Sequence, residues 1–138
     1  MKKKNQLNNI LTVLGAVAVI ALGYWWYDAQ QPGQYDKFAQ CLTEKGAKFY
    51  GAFWCPHCQA QKALFGKSKE FLPYTECSTP DTKGQLQVCK DKNIQSYPTW
   101  SFQIASSTGT TTEEFFPGEK TFAELALKSG CVLDEKAK

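Results

Sequence analysis

The 138 residues predict a small α/β domain, a mixed four-stranded sheet with flanking helices, preceded by one N-terminal transmembrane helix. Three observations carry this. An uncharged apolar segment follows a run of lysines. Beyond it, short aromatic or β-branched runs alternate with amphipathic, helix-length stretches. The first two runs are separated by such a stretch, which suits a parallel crossover. The last two are separated by a short turn, which forces an antiparallel hairpin.

Lys2, Lys3 and Lys4 precede Asn5 to Tyr27, a segment without charge whose core, Ile10 to Leu22, is almost wholly apolar. A helix rises ~1.5 Å per residue and a bilayer core needs about 20 residues, so the segment is just long enough to span. Tyr24-Trp25-Trp26-Tyr27 closes it with aromatics suited to the membrane-water interface. Cytoplasmic flanks favour lysine, so the N-terminus is expected inside and the remainder outside. Residues 1–28 thus read as a single-pass anchor in an inner (cytoplasmic) membrane, with the domain facing the periplasm or another extracytoplasmic lumen. The rival is a cleaved signal peptide, for which Ala21-Leu22-Gly23 offers a site. The four aromatics that follow fit an anchor better, and both readings export the domain. The segment has no polar face, so it does not read as a buried helix of a soluble protein.

Residues 29–34 form a polar linker with Pro32 and Gly33, and residues 35–138 form the domain. Tyr35, Phe38, Ala39 and Leu42 are spaced for a helix that Gly46 ends. Lys48 to Phe53 is a short aromatic strand. Gln59 to Phe65 is helical, with Ala60, Ala63 and Leu64 on one side and Gly66 as a break. Leu72 to Cys77 is a second strand, and Ser78 to Gly84 is loop by composition. Gln85 to Lys92 is a short helix. Trp100, Phe102 and Ile104 alternate as in a strand, Ser106 to Gly109 turn, and Thr110 to Phe116 return. Thr121 and Glu124 form a capping box for a last helix ending at Gly130.

Charge excludes one class of function. All 16 basic residues are lysine, and the three at the N-terminus account for the formal charge of +3. From Gln31 onward 13 lysines face 12 acidic residues. A nearly neutral domain without arginine is a poor nucleic-acid or phosphate binder. The six cysteines, Cys41, Cys55, Cys58, Cys77, Cys89 and Cys131, point instead to pairing in an oxidising compartment. The count alone allows fifteen connectivities.

Cys55-Pro56-His57-Cys58 follows a strand and opens a helix. Disulfide exchange needs one thiolate that attacks and a second thiol that resolves, and two intervening residues let the sulfurs meet on one turn. Cys55 at the helix N-terminus gains from free N–H groups and the helix dipole. Pro56 suits the first turn because it lacks a donor that would be orphaned there. His57 is placed to stabilise the thiolate. Cys55 is therefore expected as an exposed nucleophile and Cys58 as the more buried resolving thiol. A zinc site is the first alternative, but Cys77 and Cys89 form no second knuckle. Haem attachment would need histidine where Gln59 stands. A structural 55–58 bridge would close too small a loop to constrain much. No metal and no cofactor is expected. Trp54 reads either as a lid beside the reactive sulfur or as packing alone. Lys62, Lys67 and Lys69 read as a solvated face.

Phe53-Trp54-Cys55-Pro56-His57-Cys58, with Tyr97-Pro98 opening a strand 40 residues after Cys58 and Gly118 before the last helix, resembles the thioredoxin superfamily. The resemblance covers Phe38 to Cys131. The stretch from Gly46 to Trp54, the motif, Lys62 to Lys67 and Ser96 to Trp100 are most similar to the thioredoxin-like domain fused to bacterial vitamin K epoxide reductase homologues. The quinone-reducing membrane part of those fusions has no counterpart here. The resemblance implies a cis Pro98 beside Cys55, with the Tyr97 backbone pairing with a bound peptide. It implies, from the Pro-His pair of DsbA-type oxidants, a donor of disulfides. It implies as partners exported cysteine-containing proteins and a quinone-linked membrane oxidase of the vitamin K epoxide reductase-like type. Two departures stand out. Phe49 occupies the position of the superfamily's buried acid, which leaves Glu76 as the candidate acceptor for the Cys58 proton. The stretch between Cys58 and Pro98 is too short for the helical insertion of DsbA.

Cys77 with Cys89, and Cys41 with Cys131, are the expected structural disulfides, and a second redox pair at Cys77 and Cys89 is the competing idea. Two classes of function follow: a disulfide-exchange enzyme, oxidising or reductive as in cytochrome maturation, and a non-catalytic binding module on the same scaffold.

Overall fold

The structure is a computed structural model that describes residues 2–105 and 109–133. Three of the four residues of the expected Ser106–Gly109 turn lie outside the described residues. The chain divides into two units, Met1–Pro32 and Gly33–Lys138.

The first unit is one helix, α1 (Lys2–Ala29). Its stretch Asn8–Ala29, 22 residues of mean hydropathy 1.8, is long and apolar enough to cross a membrane. At ~1.5 Å per residue it measures about 33 Å, close to the thickness of a bilayer core. Its apolar side chains lie on every side, and Ile10, Val13, Val17 and Ile20 are each more than half exposed.

The second unit is a thioredoxin-like α/β domain. It runs α2 (Asp36–Glu44), β1 (Lys48–Gly51), α3 (Pro56–Leu64), a 3-10 segment (Gly66–Phe71), β2 (Tyr74–Glu76), α4 (Gln87–Asp91), β3 (Thr99–Ala105), β4 (Thr111–Pro117) and α5 (Phe122–Ser129). The strand order is β2-β1-β3-β4. β1 and β2 pair in parallel, with Gly51 opposite Glu76. β1 and β3 are antiparallel, with Phe49 opposite Trp100. β3 and β4 form the antiparallel hairpin.

Local chemistry explains most boundaries. Phe38, Ala39 and Leu42 form the buried stripe of α2. Thr121 and Glu124 make the reciprocal capping box of α5, with the Thr121 N–H donating to Glu124 Oε2 at 2.8 Å. Gly130 ends α5 at φ 72°, a left-handed conformation that glycine adopts without a Cβ clash. The strands before and after the crossover are shorter than expected. β1 stops at Gly51 because the chain turns, with the Cys55 N–H donating to the Ala52 carbonyl at 3.0 Å.

The inward face of α3 differs from expectation. Cys58, Gln61 and, at the helix end, Phe65 are buried, whereas Ala60, Ala63 and Leu64 are exposed. Two of these three are alanines, which cost little to leave in water, while Cys58 must face the sheet to meet Cys55. Gln61 tolerates full burial because its amide is hydrogen-bonded on both ends, as described below.

The main core joins one sheet face to α2, α3 and α5. Phe49 stacks on Trp100 at 4.8 Å, and Phe38, Phe65 and Phe122 interlock beside them. On the other face Tyr50 and Ile94 pack with the Cys77–Cys89 disulfide. A second disulfide, Cys41–Cys131, joins α2 to the chain beyond α5 across 90 residues. In the chain-entropy picture, closing a loop of that length stabilises by about 4–5 kcal/mol, against about 3 kcal/mol for the 12-residue Cys77–Cys89 loop. Replacing Cys41 and Cys131 together by alanine is therefore expected to lower the urea midpoint more than replacing Cys77 and Cys89. Equal or inverted losses would show that loop length does not decide the stabilisation.

Candidate active site

Cys55 is the N-cap residue of α3, with φ −75° and ψ 120°, and Pro56 opens the helix. No N-terminal N–H of α3 is capped by the Cys55 side chain, so these donors and the helix dipole remain available to a thiolate there. Cys58 follows one turn later on the inward face. Both cysteines are free thiols in this structure.

Both sulfurs are buried, which corrects the exposed nucleophile expected at Cys55. Cys58 is 1% exposed, and Cys55, expected to be exposed, is only 5% exposed. The Tyr97–Pro98 segment lies against it. The Tyr97–Pro98 peptide bond is cis, and the Cys55 thiol contacts the Tyr97 carbonyl at 3.7 Å. Trp54 stands edge-on to the Tyr97 ring at 6.3 Å and donates from Nε1 to Ser78 Oγ at 2.7 Å. It is about half exposed. Tyr97 itself is anchored through its hydroxyl to the Gln85 amide at 2.7 Å.

Cys58 is pressed against β1. A Cβ on Gly51 would lie 2.8 Å from Cys58 Sγ and 2.8 Å from Tyr74 Cε2, so only glycine leaves room for the sulfur. Burial pushes the Cys58 thiol up to about 12, and the adjacent Cys55 adds to the rise. Phe49, standing at the superfamily's acid position, is packed between Trp100 and Tyr74 and offers no proton acceptor. Glu76 is committed elsewhere. Its Oε1 accepts the N–H groups of Phe53, Cys77 and Ser78, at 3.3, 3.1 and 2.8 Å, and its Oε2 accepts the Tyr74 hydroxyl at 2.7 Å. It thereby ties the segment before the motif to the end of β2.

Two residues that the sequence did not single out organise the site. Gln61 is fully buried. Its Oε1 accepts the Lys120 N–H at 2.6 Å and Trp100 Nε1 at 3.3 Å, and its Nε2 donates to the Lys120 carbonyl at 3.0 Å. It locks α3 to the loop before α5. That loop also carries Gly118, whose N–H donates to the Pro98 carbonyl at 2.8 Å. The second residue is Glu119, whose Oε1 lies 2.6 Å from His57 Nδ1. The His57 side chain is 72% exposed, so this is a solvent-screened tether, and it directs Nδ1 toward Glu119. A glutamine three residues after Cys58, on the face that Cys58 turns inward, is the sequence signal for Gln61. Glu119 has none, because only the fold brings it to His57.

A parallel crossover carrying the cysteine pair at its helix start, faced by a cis-proline opening an antiparallel strand, defines a thioredoxin-like dithiol site. No family model matches the chain. The chain is similar to "Thiol-disulfide oxidoreductase LTO1" of Arabidopsis thaliana, 42% identical over an alignment of 103 residues that covers 70% of this chain and 24% of that protein. It thus spans about a quarter of the relative's length.

Two substitutions probe this geometry. Gly51→Ala is expected to destabilise the domain by roughly 1–3 kcal/mol through overpacking, and to slow formation of the 55–58 disulfide. Gln61→Leu leaves the Lys120 N–H and carbonyl and the Trp100 Nε1 unpaired, so a loss of about 1–3 kcal/mol or more is expected in urea denaturation. An unchanged midpoint for Gln61→Leu would show that the loop before α5 does not depend on it.

Proposed function

We propose that this chain is a membrane-anchored, extracytoplasmic thiol-disulfide oxidoreductase that donates disulfides to exported proteins. The observation that carries the proposal is the pairing of Cys55, at an uncapped helix N-terminus and against the Tyr97 carbonyl, with a buried Cys58 beneath it. The similarity to a plant thiol-disulfide oxidoreductase supports the same activity.

The chemistry follows from the geometry. Starting from the 55–58 disulfide, a substrate thiolate attacks Cys55 Sγ, a substrate–Cys55 bond forms, and Cys58 leaves with the electron pair. A second substrate thiolate then attacks the substrate sulfur of that mixed disulfide. Cys55 departs as a thiolate, and the free N–H groups of α3 favour its charge. The substrate dithiol is oxidised and the cysteine pair is reduced. The Tyr97 backbone, beside cis-Pro98, pairs with the bound peptide, and the half-exposed Phe53 and Trp54 give it an apolar rim.

The anchor reading assigns α1 to an inner membrane with its lysine end in the cytoplasm and its aromatic end outside. Two disulfides outside the 55–58 pair fit an oxidising lumen such as the periplasm. The partner that removes electrons from the pair is, by the family resemblance, a quinone-linked membrane oxidase of the vitamin K epoxide reductase-like type.

Trapping tests the proposal. Cys58→Ala in the native host should accumulate mixed disulfides with exported proteins, and adding Cys55→Ser should abolish them. If Cys58→Ala traps nothing and Cys55→Ser leaves function intact, the domain is a binding module. Alkylation adds a pH test. The thiol of Cys58, held far above neutrality by burial, should stay unmodified at pH 7 and react only in strong alkali, leaving Cys55 as the reactive site.

A further inference from the structure

Exchange in either direction passes through a Cys58 thiolate, as leaving group or as resolving nucleophile. That sulfur is buried against Gly51 without the buried acid of the superfamily. Resting on the redox reading above, we propose that Lys62 supplies the positive charge that stabilises the Cys58 thiolate.

The placement comes from α3 and β2 together. Lys62 is four residues after Cys58, so the two share one helix face. It is only partly solvated. Its Nζ lies 3.2 Å from the centroid of the Tyr74 ring. The same ring flanks Gly51 together with Cys58 Sγ, since Tyr74 Cε2 and Cys58 Sγ each lie 2.8 Å from the position a Cβ would take there. Tyr74 is held in turn by its hydrogen bond to Glu76, so the ring is a fixed seat for the ammonium.

The charged and titratable groups around this point are few. Cys55 and Lys62 come from α3, and Tyr74 and Glu76 come from β2. β1 offers only Phe49 and Gly51, while the 3-10 segment places Lys69 near Lys62. Among the described residues, Lys62 is the cation that draws the Cys58 thiol down against burial. Burial lowers Lys62 in turn, and Glu76 and the Cys58 charge raise it. The ammonium is thus most favoured when Cys58 is ionised.

In the oxidising turn the substrate thiolate bonds to Cys55, the 55–58 bond breaks, and Cys58 takes the electron pair. Lys62 faces that charge until the sulfur takes a proton from water. A groove of about 660 Å³, lined by Gln59, Lys62, Ala63, Lys69 and Tyr74 among others, gives water access to the Lys62 side. In the reverse turn the proton returns to water before Cys58 attacks Cys55.

The test uses the full chain carrying a glutathione disulfide on Cys55 and follows its resolution by Cys58 from pH 5 to 10. Lys62→Met, which keeps an apolar stem over Tyr74, should slow resolution at pH 7 by about tenfold and move the pH profile upward by about one unit. Lys62→Arg, with an equal thermal midpoint, should restore the rate to within about threefold of the native chain. An unmoved profile in Lys62→Met, or no rescue by Lys62→Arg, overturns the charge assignment. In a Cys58→Ala background, Cys55 should take up glutathione at the same rate with or without Lys62→Met. A rate that falls with Lys62→Met there would place the charge on Cys55 and overturn the assignment to Cys58. If Cys55 takes up no glutathione even in the native chain, the redox reading itself fails. If it does and only resolution is indifferent to Lys62, that reading stands and the Lys62 inference alone falls.

Discussion

Cys58 rests on the bare backbone of Gly51, and the orientation of α3 follows from that contact. Turning Cys58 inward carries Gln61 and Phe65 with it at helical spacing, and it leaves Cys55 at the helix start under the Tyr97 carbonyl. Gln61 then fixes the loop before α5, and Gly118 in that loop fixes the Pro98 carbonyl. The two sides of the site, helix start and cis-proline, are thus tied to each other through one buried amide. A looser Cys58 would loosen both.

The frame around this contact is aromatic and covalent. The Phe49–Trp100 stack fills the centre of the sheet, where a carboxylate would otherwise need a partner. Cys77–Cys89 supports the segment carrying Ser78, which holds Trp54, while Cys41–Cys131 ties α2 to the end of the domain. Small domains bury a modest share of their surface, and such crosslinks compensate by restricting the unfolded chain.

Much of the architecture was legible in the residues. The alternation at Trp100, Phe102 and Ile104, the stripe Phe38, Ala39 and Leu42, and the Thr121–Glu124 box each carry a local signal that tertiary structure had no reason to override. The motif placed Cys55 at a helix start because Pro56 fits nowhere else in a helix as well. What local pattern could not show were choices made by packing. Ala60, Ala63 and Leu64 form an apolar side that periodicity favours, yet α3 buries the side bearing Cys58 and Gln61. Lys62 was indistinguishable from Lys67 and Lys69 until the Tyr74 ring was placed beneath it. The 3-10 segment Gly66–Phe71 follows a glycine that reads equally well as a simple break. Glu76 was legible as an acid near the site, but its hydrogen bonds to backbone N–H groups arise only when β2 meets the end of β1.

The site separates two sulfurs by environment. One lies at an uncapped helix N-terminus, and the other is buried against a strand that disfavours its anion. Stabilising the Cys55 thiolate stabilises the reduced pair, which makes the disulfide form a stronger oxidant. The reduction potential of the Cys55–Cys58 pair, measured on the full chain by equilibration with glutathione, tests this directly. A disulfide donor of this design should show a value above about −200 mV, toward the oxidising end of the superfamily, and a value at or below about −270 mV, that of thioredoxin, would contradict it.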